Sequence, residues 1–255
     1  MATYKKRGGR PSTKVEQEAQ IEQDSRTAEV FRSLDEGASR TEAWIEKNQK
    51  ALLGVLGVIA LAVVGYFVFQ EFIQKPKEAE AMNEMFQAQV FWEEALTATE
   101  KDSLYNLSLQ GGAGKYGFLD IIDNYSGTNA ANLSRYYAGM AYLNLNKYKE
   151  AIEQLDKFKS KDEMLAPLAK GAIGDAFANL GQNEDALKYY EEAASMRSNA
   201  FTTPRFLLKA GVAAMSLNKT DKALKHFESI SKDYPDSQEA ARAEIYAGRA
   251  EAMTK

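Results

Sequence analysis

The chain contains no cysteine and a single histidine, His226. The first absence removes disulfides, thiolate metal sites, cysteine nucleophiles and a lipid-modified N-terminal cysteine, so stability has to come from packing alone. The second removes His-based metal centres and most catalytic triads; His226 itself sits beside Phe227, where a solvated or capping side chain is expected. A basic surplus is also missing from the larger part of the chain. Residues 78–255 carry twenty Lys/Arg against twenty-six Asp/Glu, a balance unsuited to neutralising phosphates, and no nucleic acid is expected as a partner.

Catalytic motifs are equally scarce. Gly111-Gly112-Ala113-Gly114-Lys115 comes near a phosphate loop, but Leu109 stands where that motif needs glycine and Tyr116 where it needs Ser or Thr. It reads as a flexible connection between helices. Acidic pairs such as Glu93/Glu94, Glu184/Asp185 and Glu191/Glu192 are neighbours in sequence, so on a helix they point in different directions and form solvated faces. No enzyme activity and no cofactor are expected.

What is present begins with a run. Ala51 to Phe69 (ALLGVLGVIALAVVGYFVF) is nineteen positions without a charge, bounded by Lys50 and by Gln70-Glu71. At 1.5 Å per residue it spans roughly 28 Å, close to a bilayer's hydrocarbon core, so 51–69 is expected to be a transmembrane helix in contact with lipid. It starts too far along the chain and ends in residues too large for a cleaved signal peptide. Trp44 and Tyr66 suit the interfaces, and Gly54, Gly57 and Gly65 miss the GxxxG spacing. Arg32, Arg40, Lys47 and Lys50 precede the run and Lys75 and Lys77 follow it. This bias predicts a cytoplasmic N-terminus and an exported C-terminal domain.

The flanks differ in kind. Residues 1–24 hold few large apolar groups and read as a disordered tail. Residues 25–50 read as an amphipathic juxtamembrane helix with Val30, Phe31, Leu34, Ala38, Trp44 and Ile45 near one face. After the span, Pro76 should break or kink the helix. Met82, Met85, Phe86, Trp92 and Leu96 then follow helical spacing, so 70–114 is expected to hold a stalk or first packing helices, with that stripe in the core.

The remainder repeats. Phe118–Ala141 (FLDIIDNYSGTNAANLSRYYAGMA) aligns without a gap on Phe227–Ala250 (FESISKDYPDSQEAARAEIYAGRA), sharing Phe118/Phe227, Ile121/Ile230, Tyr125/Tyr234 and Tyr137-Ala138-Gly139/Tyr246-Ala247-Gly248. Between them Gly139, Gly174, Gly211 and Gly248 recur at intervals of 35, 37 and 37, while Ala151, Ala186 and Ala223 sit twelve residues after the first three. A small residue on one helix facing a small residue on the next would let two backbones approach closely. The prediction is an all-α chain, one transmembrane helix plus a superhelix of helix pairs over 115–255.

These units resemble the tetratricopeptide-repeat family. AGMAYLNLNKYKEAIEQLDKF (138–158) and IGDAFANLGQNEDALKYYEEA (173–193) follow its order of small residue, aromatic, turn and alanine; AGVAAMSLNKTDKALKHFESI (210–230) departs with Ala214 at the aromatic position and Asn218 at the turn glycine. The resemblance implies a concave groove lined by the first helix of each pair. In that register its lining is Leu133, Tyr136, Met140, Leu143 and Asn144, then Asp175 and Asn179, then Arg205, Leu208, Val212 and Met215. An apolar, Met-rich lining suits adaptable binding of hydrophobic chains; packing against neighbouring helices is the alternative role for several of these residues. A carboxylate clamp is not implied, because its positions carry Tyr136, Met140, Gly171 and Asp175.

The layout as a whole, with DEGASRTEAW, FLDIIDNYSGTNAANLSRYYAGMAYL and FTTPRFLLKAG, is similar to the YfgM-type ancillary subunits of the bacterial Sec translocon, in the version found in Bacteroidetes. That resemblance implies a single-pass inner-membrane protein with a periplasmic repeat domain, standing beside SecYEG, with a membrane-anchored periplasmic prolyl isomerase and unfolded exported chains as further partners. A scaffold in another envelope assembly, division or motility complex, or a cytoplasmic adaptor of opposite orientation, uses the same parts.

Overall fold

The computed structural model describes residues 14–253, which form helices and turns without a strand. The chain divides into two compact units, Met1–Phe69 and Gln70–Lys255. The described part of the first is one helix, α1 (Lys14–Phe69). It starts within the stretch expected to be disordered; residues 14–24 are mostly Glu, Gln, Lys and Ala, whose propensity favours helix without any core to bury. Residues 1–13 lie outside the described residues. Val30, Leu34, Trp44 and Ile45 are exposed, and so is every residue from 53 to 69. A helix this long and apolar with none of its window buried is no core helix of a soluble fold; it has the length and composition of a single-pass membrane anchor.

The second unit opens with a π-helical turn, Gln70–Gln74, followed by α2 (Lys75–Thr97). Pro76 does not break α2 but sits in its first turn, directly after the π-helical turn. Ala81, Met85, Ala88 and Ala95 are buried, and α2 packs on α3 (Lys101–Gln110), α4 (Phe118–Asn124) and α5 (Asn129–Asn144). The stripe expected to be core therefore divides: Met85 is buried and Trp92 half-buried, while Met82, Phe86 and Leu96 are exposed. Trp92 lies 5.3 Å from the Tyr105 ring and 5.6 Å from Tyr137, which stacks on Phe118 at 5.1 Å.

A polar clasp joins the start of α2 to the corner before α5. Gln74 and Lys77 donate to the carbonyls of Gly127 and Ser126, both at 3.0 Å. Glu78 accepts from the backbone N–H groups of Asn129 (2.6 Å) and Ala130 (2.8 Å), amides that no helical carbonyl reaches. The Tyr125 hydroxyl donates to Glu80 at 3.0 Å. Burial, then the Glu80 carboxylate, push that phenol up to about 12.

The Gly-rich segment before α4 is a closed turn rather than a flexible connection. Gly112 and Lys115 exchange backbone bonds of 3.2 and 3.0 Å, and Gly111 adopts φ 76° where a Cβ would lie 2.1 Å from the Lys115 carbonyl oxygen.

Three helix pairs follow: α5 with α6 (Tyr148–Lys157), α7 (Leu165–Asn179) with α8 (Asn183–Ser195), and α9 (Thr202–Ser216) with α10 (Thr220–Asp233), before α11 (Ala240–Met253). Each pair turns on one residue in the left-handed region: Asn146 (φ 58°), Gly181 (φ 73°) and Asn218 (φ 56°). Asparagine tolerates that conformation, which is how Asn218 replaces the turn glycine without altering the pair.

The expectation that small residues face each other holds only in part: a Cβ on Gly139 would lie 3.3 Å from the Ala151 carbonyl oxygen, but large side chains come closer still. A Cβ on Gly139, Gly174 or Gly211 would lie 2.4 Å from Leu155, 2.7 Å from Tyr190 and 2.3 Å from Phe227 respectively, each sixteen positions later. The glycine receives a large side chain, and the alanine four residues before that side chain is buried in the same interface. Gly171 works in the same way for the next pair, since a Cβ there would lie 1.9 Å from Phe206 of α9. His226 bridges helices instead of standing in solvent: its Nε2 lies 2.8 Å from Glu191 on α8, whose other oxygen takes Lys222 at 2.8 Å.

Candidate protein-binding groove

The first helices of the pairs stand side by side, α5 against α7, α7 against α9, and α9 against α11. The residues expected to line a groove fall into separate places along this row. Leu133 is half-buried on the cluster built by α2 to α5. Tyr136, Met140 and Leu143 are half-buried on a second cluster with Leu155, Ala169, Ala172 and Ile173, the Tyr136 ring 5.4 Å from Phe158. Asn144 is exposed and turns back to the Met140 carbonyl at 2.8 Å. Met215 is half-buried on the C-terminal cluster.

Asp175 and Asn179 form the polar middle of the row. The Asp175 carboxylate accepts from the Tyr190 hydroxyl at 2.7 Å and from Lys209 at 2.6 and 2.8 Å. Burial, then the Asp175 charge, push the Tyr190 phenol far above its ordinary value. Asn179 donates to the Asp175 carbonyl at 2.8 Å and accepts from Tyr148 at 3.3 Å. These side chains tie α7 to α8 and α9, so the wall is fixed before anything binds.

Arg205, Leu208 and Val212 come together in an open groove of about 810 Å³ along α9. Its other walls are Tyr190 and Asn183 of α8, Arg242 and Tyr246 of α11, and the Asp236–Glu239 loop between α10 and α11. Phe201 stands at the mouth, 57% exposed, and Val212 on the floor is 39% exposed. Phe201 is held outward by the way α9 starts. The Asn199 carboxamide oxygen accepts from the N–H groups of Phe201 (2.9 Å) and Thr202 (2.7 Å), and the buried Thr203 hydroxyl accepts from Asn199 N–H at 3.0 Å. Arg205 makes no ion pair with a described carboxylate; its charge is felt by Tyr136, where it opposes the upward push of burial and of Tyr137.

The groove thus combines apolar and aromatic side chains with guanidinium groups and the polar Asp236–Glu239 loop, a mixed surface able to take up a partner's side chains. Sequence reasoning missed Phe201, Lys209, Arg242 and Tyr246. Tyr246 was visible as the repeat of Tyr137, but α11 was not assigned to the lining. A repeat domain of this build is a protein-interaction module. No curated protein matches the chain. The family model described as "T7SS, ESX-1 secretion system protein EccA1, N-terminal domain" matches residues 110–244, more than half of the 255 residues, and the chain belongs to that family.

Proposed function

We propose that this protein is a membrane-anchored, non-enzymatic interaction module that binds or hands on newly exported polypeptides beside the Sec translocon. The observation that carries the reading is the groove: Phe201 and Val212 stay exposed on a helical-repeat wall already fixed by the Asp175–Lys209–Tyr190 bonds. Exposed apolar side chains on a rigid scaffold suit segments of an unfolded chain. In this reading 51–69 lies in the bacterial inner membrane, the N-terminus is cytoplasmic, and the repeat domain is periplasmic. SecYEG and a membrane-anchored prolyl isomerase are neighbours at the span, where attachment persists while the groove is empty.

The test uses photo-crosslinkers at Val212 and at Leu56 in living cells. Adducts of exported chains from Val212 and of SecYEG from Leu56 are expected. A second reading, a scaffold in another envelope or secretion assembly, draws on the match to a domain described as part of a secretion system. Reproducible adducts of one folded partner at Val212, with no translocon adduct from Leu56, would replace the first reading by the second.

A further inference from the structure

The outward face of α11 has a pattern that no function above uses. Ala243 and Ala250 are fully buried, and Tyr246 and Ala247 are half-buried toward the domain. Ala241, Ile245, Gly248 and Ala252 are all exposed and follow the four-three-four spacing of a heptad seam on the opposite side. Ile245 is 59% exposed. Gly248 stands at the repeat position of Gly139, Gly174 and Gly211, whose slots Leu155, Tyr190 and Phe227 fill, yet a Cβ on Gly248 would meet nothing within 4 Å. The seam is bordered by charges sorted by sign: Arg242 and Arg249 on one flank, Glu244 and Glu251 on the other.

We propose that α11 pairs in parallel with α11 of a second copy of this chain. The sorted flanks select both the occupant and the direction. A two-fold axis between antiparallel helices sets each flank against itself, arginine on arginine and glutamate on glutamate. A two-fold axis between parallel helices sets the arginine flank on the glutamate flank. Glu244 then meets Arg249 of the second copy, five residues on, twice per pair. Ile245 packs on its own counterpart at the centre, and Gly248, Ala241 and Ala252 admit a close backbone approach. A seam of two heptads with one large side chain is short. Two copies held in one membrane by their anchors meet at a raised effective concentration, which compensates for it.

Because the native chain has no cysteine, the geometry is open to single-cysteine crosslinking in the full chain. Gly248→Cys in proteoliposomes is expected to give a disulfide-linked dimer under mild oxidation, and Ala247→Cys, turned toward the domain, is not. Gly248 has open space, so this variant folds. In detergent, sedimentation should show Glu244→Arg weakening self-association by about ten-fold and the exchange Glu244→Arg with Arg249→Glu restoring it to within about three-fold. Four results overturn the proposal: a monomeric wild-type chain in both media, equal crosslinking at 247 and 248, a charge exchange that restores nothing, or a dimer indifferent to Ile245→Glu. Faster linkage between mixed Ile245→Cys and Gly248→Cys chains than within Gly248→Cys alone marks an antiparallel pair and overturns it too.

Discussion

Gly211 and Gly248 hold the same repeat position in first helices, yet replacing each by alanine should act in opposite directions. Glycine in a helix interior costs about 1 kcal/mol relative to alanine, so that gain is available at both sites. At Gly248 nothing lies within 4 Å of the new Cβ, and Gly248→Ala should stabilise by up to about 1 kcal/mol. At Gly211 the Cβ would lie 2.3 Å from Phe227. That ring cannot withdraw: it is fully buried and stacked on Tyr246 at 5.7 Å. Overpacking of this kind costs roughly 1–3 kcal/mol, leaving Gly211→Ala about 0–2 kcal/mol less stable than wild type. The two variants should therefore differ by about 1–3 kcal/mol, or roughly 2–12 °C in Tm for a unit of this size. The assay is urea and thermal unfolding of residues 70–255 followed by far-ultraviolet circular dichroism, at a dilution that keeps the domain monomeric. Equal effects at the two glycines would refute the assignment of Gly211 as a receiving slot.

Further outcomes are expected. Glu78→Ala should destabilise the same unit by about 1–2 kcal/mol in urea unfolding, because two N-terminal amides of α5 lose their acceptor. Tyr125 has its phenol raised to about 12 in the fold, so its contribution is present below the unfolded value of about 10 and is lost as pH rises from there. Tyr125→Phe should flatten the fall of stability between about pH 10 and 12, and parallel curves for the two proteins would contradict this. Alkaline phosphatase fused after Lys255 should be active in a bacterial host; an inactive fusion with an active cytoplasmic reporter at the same site would reverse the orientation.

Local and periodic features were legible in the sequence. The span is an uninterrupted run, and the helix pairs announce themselves through Gly139, Gly174 and Gly211, because each must admit a bulky neighbour at a fixed spacing. Even there periodicity gave the partner only in part: the alanines twelve residues on are buried, but Leu155, Tyr190 and Phe227 fill the slots. The clasp was not legible, since Glu78 and Asn129 are separated by 51 residues and neither stands out in composition. Nor was the division of the expected lining. Tyr136 and Arg205 both belong to first helices, but Tyr136 meets Phe158 and the cluster around Leu155 and Ala169, whereas Arg205 lines the groove with Tyr246 of α11. Which neighbours a lining position meets is a tertiary property that register alone does not encode. Phe201 was hidden for another reason, as its outward aim is set by hydrogen bonds of Asn199.

The clasp between α2 and the corner at 126–130 also has a mechanical meaning. In the proposed function, an anchored protein holding a moving chain would be under tension, and that tension would enter the folded domain through Gln70, the first residue after the long apolar helix. Within the next eight residues Gln74, Lys77 and Glu78 hand it to two carbonyls and two amides of a single corner. Under such a load the pull would be spread over several bonds near the attachment point before it reached the repeats.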